Sequence, residues 1–198
     1  KILFALFVAF TVLCSFSTRE SNYTNQIKKV VIDAGHGGKD PGTAQGKEKR
    51  YALEIALALG KKIKSELKDV EVIYTRDKDI FIPLHERAAI ENRNKADLFI
   101  SIHCNANNSS KISGTETYTM GLHKSQANLE LAKRENNVIL LEDNYKKSYK
   151  GFDPNSPLAH IMLANYQSAF MEQSLNFATR VEQKFAESGN KSRGVKQA

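Results

Sequence analysis

The spacing of apolar residues predicts an α/β fold: a mainly parallel mixed sheet, helices on both faces, and a helical insertion in the C-terminal third. Three observations carry this. Short apolar runs at 29–33, 70–75 and 98–103 stop abruptly at polar or glycine-rich turns. The segments between them repeat apolar residues three and four apart, the helical period. The resulting order, strand, helix, strand, helix, strand, brings parallel strands together with helices packed across them.

The first strand is Lys29-Val30-Val31-Ile32-Asp33, and it runs into the turn Gly35-His36-Gly37-Gly38. A helix is predicted over 51–67, with Leu53, Ile55, Ala56, Leu59, Ile63 and Leu67 on its apolar face and lysines opposite. The second strand is 70–75. A charge-rich helix follows at 84–95, then a third strand at 98–103 that ends on His103. A fourth strand is predicted over 114–120. From 125 onward the pattern is helical, at 125–138 and 157–185, around a connection that holds Gly151, Pro154 and Pro157.

The ends have their own character. Residues 2–13 are apolar, yet too few for the roughly 20 residues of a membrane helix. Ser15-Phe16-Ser17 follows with small residues at alternate positions, the form of a secretory cleavage site. The predicted organisation is a partial signal peptide at 1–17, a flexible lead-in at 18–28, and one domain over 29–198 with its insertion at about 125–187. Export to a periplasm or cell surface follows, with no stable membrane span in the mature protein. The roughly 180 remaining residues suffice for a real core. Once a leader containing Cys14 is removed, Cys104 is the remaining cysteine, so no internal disulfide forms. Alternation turns Cys104 away from whatever His103 faces, and a small buried apolar role fits it.

Lysine and arginine outnumber aspartate and glutamate 29 to 22, a formal charge of +7 that suits an anionic partner. Nucleic acid is disfavoured: the lysines are scattered and do not alternate with aromatic residues as a stacking platform would.

Two apolar strands, each ending in a histidine, are the strongest chemical signal. Open α/β sheets place their chemistry at the carboxyl ends of strands. His36, His103 and the intervening Glu48 are a sufficient ligand set for a catalytic zinc, with the fourth position left to water. Hydrogen-bonded structural histidines are the other reading of the same pattern.

At these residues the chain resembles the zinc-dependent N-acetylmuramoyl-L-alanine amidases, which cleave bacterial peptidoglycan. The likeness spans roughly 29–198. It rests on Val31-Ile32-Asp33-Ala34-Gly35-His36-Gly37-Gly38-Lys39-Asp40-Pro41-Gly42, on Glu48-Lys49, and on Thr75-Arg76-Asp77 with Glu86-Arg87-Ala88. Ser101-Ile102-His103-Cys104-Asn105-Ala106 and Arg193-Gly194-Val195-Lys196 complete it. The resemblance implies Zn2+ held by His36, Glu48 and His103, and hydrolysis of the amide between N-acetylmuramic acid and L-alanine. It also implies a catalytic glutamate on a strand expected beyond Ala198, so no catalytic acid/base is expected in this chain, which alone is expected to turn over almost nothing. The long helical block is similar to the insertion of cell-division amidases, where a helix covers the metal until an activator protein moves it. Glu135 and Glu142 are the candidate plugs.

Asn105, two positions after His103, shares its side of the strand and could orient substrate. Asp33 could bond a ligand imidazole or the loop backbone, and Glu116 could line the site. Arg76 and Arg87 could meet peptide carboxylates or form internal salt bridges. His85, His123 and His160 lack ligand spacing. The alternative class is a non-catalytic peptidoglycan-binding or regulatory protein with the same fold.

Overall fold

The β-branched run Val30-Val31-Ile32 forms the middle of β1 (Lys29–Ala34), the central strand of a three-stranded parallel sheet. In this computed structural model the described residues are 26–43, 46–105, 111–120, 126–143 and 170–197. β1 pairs on one side with β2 (Glu71–Tyr74) and on the other with β3 (Leu98–Ile102), so that Val30 lies between Val72 and Leu98. Both faces of β1 are buried, as a covered parallel strand requires. Val30, Ile32 and Ala34 face α1 (Glu48–Glu66) and build the core with Ala56 and Val72. Asp33 points to the other face, where α2 (Leu84–Asn94) supplies Arg87.

α1 begins three residues before the predicted start, which puts Glu48 inside its first turn. Its buried seam is Ala52, Ala56 and Gly60, small residues that let the helix approach the sheet closely. Ile55 and Leu67, expected on the apolar face, are exposed instead. At Gly60 the approach is closest: an added Cβ would stand 1.9 Å from the Tyr74 hydroxyl oxygen. Gly60→Ala should therefore cost about 1–2 kcal/mol net, the overpacking outweighing the gain in helix propensity of about 1 kcal/mol. Urea unfolding measures it, and an alanine variant as stable as the parent would contradict the fit.

A second, two-stranded sheet pairs β4 (Thr115–Thr119) with β5 (Ser192–Gln197), again in parallel. Every strand pair among the described residues is parallel, but the strands fall into two sheets rather than one. β5 was not foreseen, because Ser192-Arg193-Gly194 carries no apolar alternation. Between β4 and β5 come α3 (Gln126–Asn136), a 3-10 turn (Asn137–Leu141) and α4 (Met171–Glu187). The helix predicted over 157–185 is seen from 171; its first part lies outside the described residues, as do 144–156, His123, His160, Cys14 and the leader. α4 covers one face of the small sheet. Its buried Glu182 accepts hydrogen bonds from the hydroxyls of Thr115, Thr117 and Ser192. No helix of the described residues is long and apolar enough to cross a membrane.

Candidate metal centre

The carboxyl ends of β1 and β3 lie side by side, and the turns that follow them carry His36 and His103. Glu48 enters from the first turn of α1, and a fourth side chain, Glu135, descends from α3. One donor atom from each of the four lies within 4.8 Å of the others. His36 Nε2 stands 3.1 Å from Glu48 Oε1 and 3.4 Å from Glu135 Oε2. His103 Nδ1 stands 3.4 Å from Glu48 Oε1, 3.2 Å from Glu135 Oε2 and 3.1 Å from His36 Nε2. For donors about 2.0–2.1 Å from a shared ion, a regular tetrahedron has edges of about 3.3 Å. Five of its six edges are therefore present, and the donor set fits a four-coordinate ion.

Local structure explains the convergence. At Gly35 a Cβ would collide with the His103 ring at 2.5 Å, so only glycine lets the two turns meet. His36 has φ of 59°, an uncommon left-handed backbone for a residue with a side chain. Arg87 donates to its carbonyl at 2.9 Å and Arg76 to the Gly35 carbonyl at 2.7 Å. These buried arginines therefore clamp the histidine turn from beneath. Both are buried away from solvent: Arg87 forms an internal salt bridge with Asp33, whereas Arg76 donates to backbone carbonyls and pairs with no carboxylate among the described residues.

Asp40 stands 2.8 Å from His36 Nδ1 and directs Nε2 towards the other donors. Asp33, the expected candidate for such a bond, does not touch an imidazole. It accepts from Arg87, Thr75 and Ser101 on the far side of β1. Glu48 is fixed by the Cys104 N–H at 2.8 Å and the Thr43 N–H at 3.0 Å. Asn105 and Glu116 meet each other at 3.1 Å beside the cluster, and Glu116 also holds Arg193 and Lys196.

The electrostatics favour a cation among the donors. Burial opposes charge on His36, yet Asp40, Glu135 and Glu48 push it up to about 11. Burial likewise opposes charge on His103, and the Glu135 and Glu48 carboxylates push it up to about 9. Burial alone would raise Glu48, but both imidazoles and the Cys104 N–H hold it down at about 2. Glu135 falls well below the usual carboxylate range for the same reason: the imidazoles outweigh its burial.

α3 closes the site. Among the described residues a cavity of about 20 Å³, room for a single water, lies beside the donors, and Glu135 and Val138 form part of its wall. Asn128 holds the helix to the Gln197 carbonyl at 2.8 Å. Beyond the 3-10 turn, buried Glu142 accepts the Leu84 N–H at 2.7 Å and meets His85 at 3.1 Å. Of the two acidic candidates for a plug, Glu135 reaches the donors, and Glu142 fastens the segment to the start of α2. Asp40 and the Arg76–Arg87 clamp had no distinguishing sequence signal beyond their place in quoted motifs.

A parallel α/β fold with imidazoles and carboxylates converging at its strand ends defines an α/β domain with a donor set that could hold a metal ion. A family model described as N-acetylmuramoyl-L-alanine amidase matches residues 30–198, and the chain belongs to that family. It is 32% identical over 157 residues to the N-acetylmuramoyl-L-alanine amidase AmiC of Escherichia coli O6:H1, covering 77% of this chain and 36% of that protein. It is 49% identical over 96 residues to the endolysin of Bacillus phage SPP1, covering 46% of this chain and 33% of that protein. The chain thus spans about a third of the length of these relatives. Among solved structures, Cwp6 from Clostridium difficile superposes with a TM-score of 0.54 at 30% identity, over 86% of this chain and 20% of that one. An N-acetylmuramoyl-L-alanine amidase from Clostridium difficile 630 shares the fold, with a TM-score of 0.55 at 24% identity, over 87% of this chain and 70% of that one.

Proposed function

We propose that the whole protein is an exported zinc enzyme that hydrolyses the amide between N-acetylmuramic acid and L-alanine in peptidoglycan, and that Glu135 holds it inactive. The observation that carries this is the near-tetrahedral set of five donor separations between 3.1 and 3.4 Å. Family membership supports the reaction.

His36, Glu48 and His103 would hold the ion. Two imidazoles and one carboxylate suit zinc and leave a net charge of +1. A bound zinc would supply Lewis acidity to the scissile carbonyl and lower the pKa of water. Asp40 keeps His36 in the tautomer that presents Nε2, and the Cys104 and Thr43 amides keep Glu48 from swinging away. Proton transfer from the attacking water to the leaving amine falls to a glutamate that we place on a strand following β5; sequence beyond Ala198 tests that assignment.

Glu135 works against the reaction in two ways. It fills the fourth vertex, where water must enter, and its charge brings the site to zero. An activator protein that draws α3 away would remove both effects. Glu135→Ala in the whole protein should therefore raise basal peptidoglycan hydrolysis by about 5- to 150-fold, the usual range of regulatory coupling. Release of soluble muropeptides measures it. Unchanged or reduced release would remove Glu135 from the role of plug.

A further inference from the structure

The small sheet has two unlike faces. Thr115 and Thr117 of β4 turn to Glu182 of α4. Glu116 and Tyr118 therefore turn the other way, and Asn105, two residues past His103, meets them there: its Nδ2 donates to Glu116 Oε2 at 3.1 Å. This is the face beside the metal centre.

β5 delivers two cations to that face by departing from strand geometry. Arg193 and Lys196 are three residues apart, and strict alternation would send them to opposite sides. The register shifts between them: Thr115 pairs with Ser192 but Thr117 pairs with Val195, three residues of β5 against two of β4. Gly194, at φ of 84°, takes the left-handed conformation that this bulge needs. Both cations then reach Glu116 Oε1, Arg193 Nε at 2.6 Å and Lys196 Nζ at 2.6 Å.

One carboxylate against two cations leaves an excess positive charge, and the side chains of Arg193 and Lys196 are 34% and 28% exposed. Arg193 uses only Nε on Glu116; its two outer nitrogens make no hydrogen bond to a described residue. They keep the planar fork that matches a second carboxylate. Asn105 links the pair to the donor cluster: its Nδ2 donates to Glu116, and its Oδ1 accepts from Arg134, the neighbour of Glu135 on α3, at 3.3 Å. Two residues of extended chain span about 7 Å, so a peptide cut at the metal carries its next residues past Asn105.

We propose that Arg193 and Lys196, aimed by the Gly194 bulge, form a subsite for a free carboxylate on the stem peptide, at the second residue after the lactyl group. Glu116 and Tyr118 are positioning residues that hold the two cations in place. This deepens the amidase reading and rests on it.

The test uses the whole protein carrying Glu135→Ala and two N-acetylmuramoyl peptides that differ only at the second residue, D-isoglutamate or D-isoglutamine. The parent should prefer the acid by about tenfold in kcat/KM, with the difference in KM. Arg193→Gln with Lys196→Met should reduce that preference to within twofold, and Arg193→Lys should keep part of it. Arg193→Gln alone should cut the preference by about half or more, which serves if the double variant does not fold. No preference in the parent, or a preference that survives the double substitution, overturns the subsite while leaving the amidase reading intact. Failure to cut either peptide sinks both.

Discussion

His103→Ala, made in the whole protein carrying Glu135→Ala, should strip the site of its metal and lower amidase turnover on the order of 10³-fold or more. Water with its ordinary pKa of about 15.7 is a poor nucleophile, and the two remaining donors are one carboxylate and a single imidazole. His103 is the informative position because it lies just past the end of β3 and its hydrogen bonds run to the cluster rather than to the core. Stability should consequently change little, and metal content with turnover should fall together. Elemental analysis of the purified variant and a muropeptide-release assay provide the two readings. A variant that retains one zinc per chain would show that His103 is not a ligand; one that loses zinc yet still turns over would show that the chemistry lies elsewhere.

The second large effect lies beneath the metal centre. Asp33→Asn should destabilise the fold by about 3–5 kcal/mol, the usual cost of leaving one partner of a buried ion pair uncompensated. The Arg87–Asp33 pair meets at 2.6 Å with both side chains 5% exposed, and Arg87 spends its other donors on the Ala34, His36 and Ile82 carbonyls. It has nowhere to go when the carboxylate loses its charge. The same pair gives the protein an acid-sensitive element. Burial pushes the Asp33 carboxyl up, but Arg87, Ser101 and Thr75 outweigh it and the net shift is downward. A carboxyl depressed by folding contributes its stability fully above its unfolded value of about 4 and loses it as pH falls through the lower folded value. Urea titrations from pH 7 downward should show stability falling below about pH 4. Asp33→Asn should be weaker at pH 7 and flatter in the acid range. An equally steep acid slope in the variant would assign the sensitivity to other carboxylates.

Much of the scaffold was legible because local chemistry wrote it. The β-branched triplet Val30-Val31-Ile32 admits a buried strand and little else, and the apolar run 98–102 forms its neighbour, half-buried rather than buried. The His36 and His103 turns stood out because a histidine after an apolar run has no packing reason to be there. β5 was hidden: a strand that starts Ser-Arg-Gly and bulges has no period to read, and its partner β4 precedes it by more than 70 residues. The role foreseen for Asp33 went to Asp40 for a reason of direction. Asp33 is locked into strand alternation and points away from the turn, whereas Asp40 lies four residues past His36, where the chain has folded back.

The sequence by itself determined which residues could bind a metal, since imidazoles and carboxylates at strand ends and a helix start carry their chemistry wherever they are placed. It also determined the family, through motifs in fixed order. Only the tertiary structure decided which carboxylate joins them. Glu135 and Glu142 are equally acidic and seven residues apart in the same segment. One reaches the donors and the other caps α2, because Asn128 and the 3-10 turn fix the angle at which α3 meets the sheet ends. That angle is set by packing between elements distant in sequence, and no local pattern encodes it.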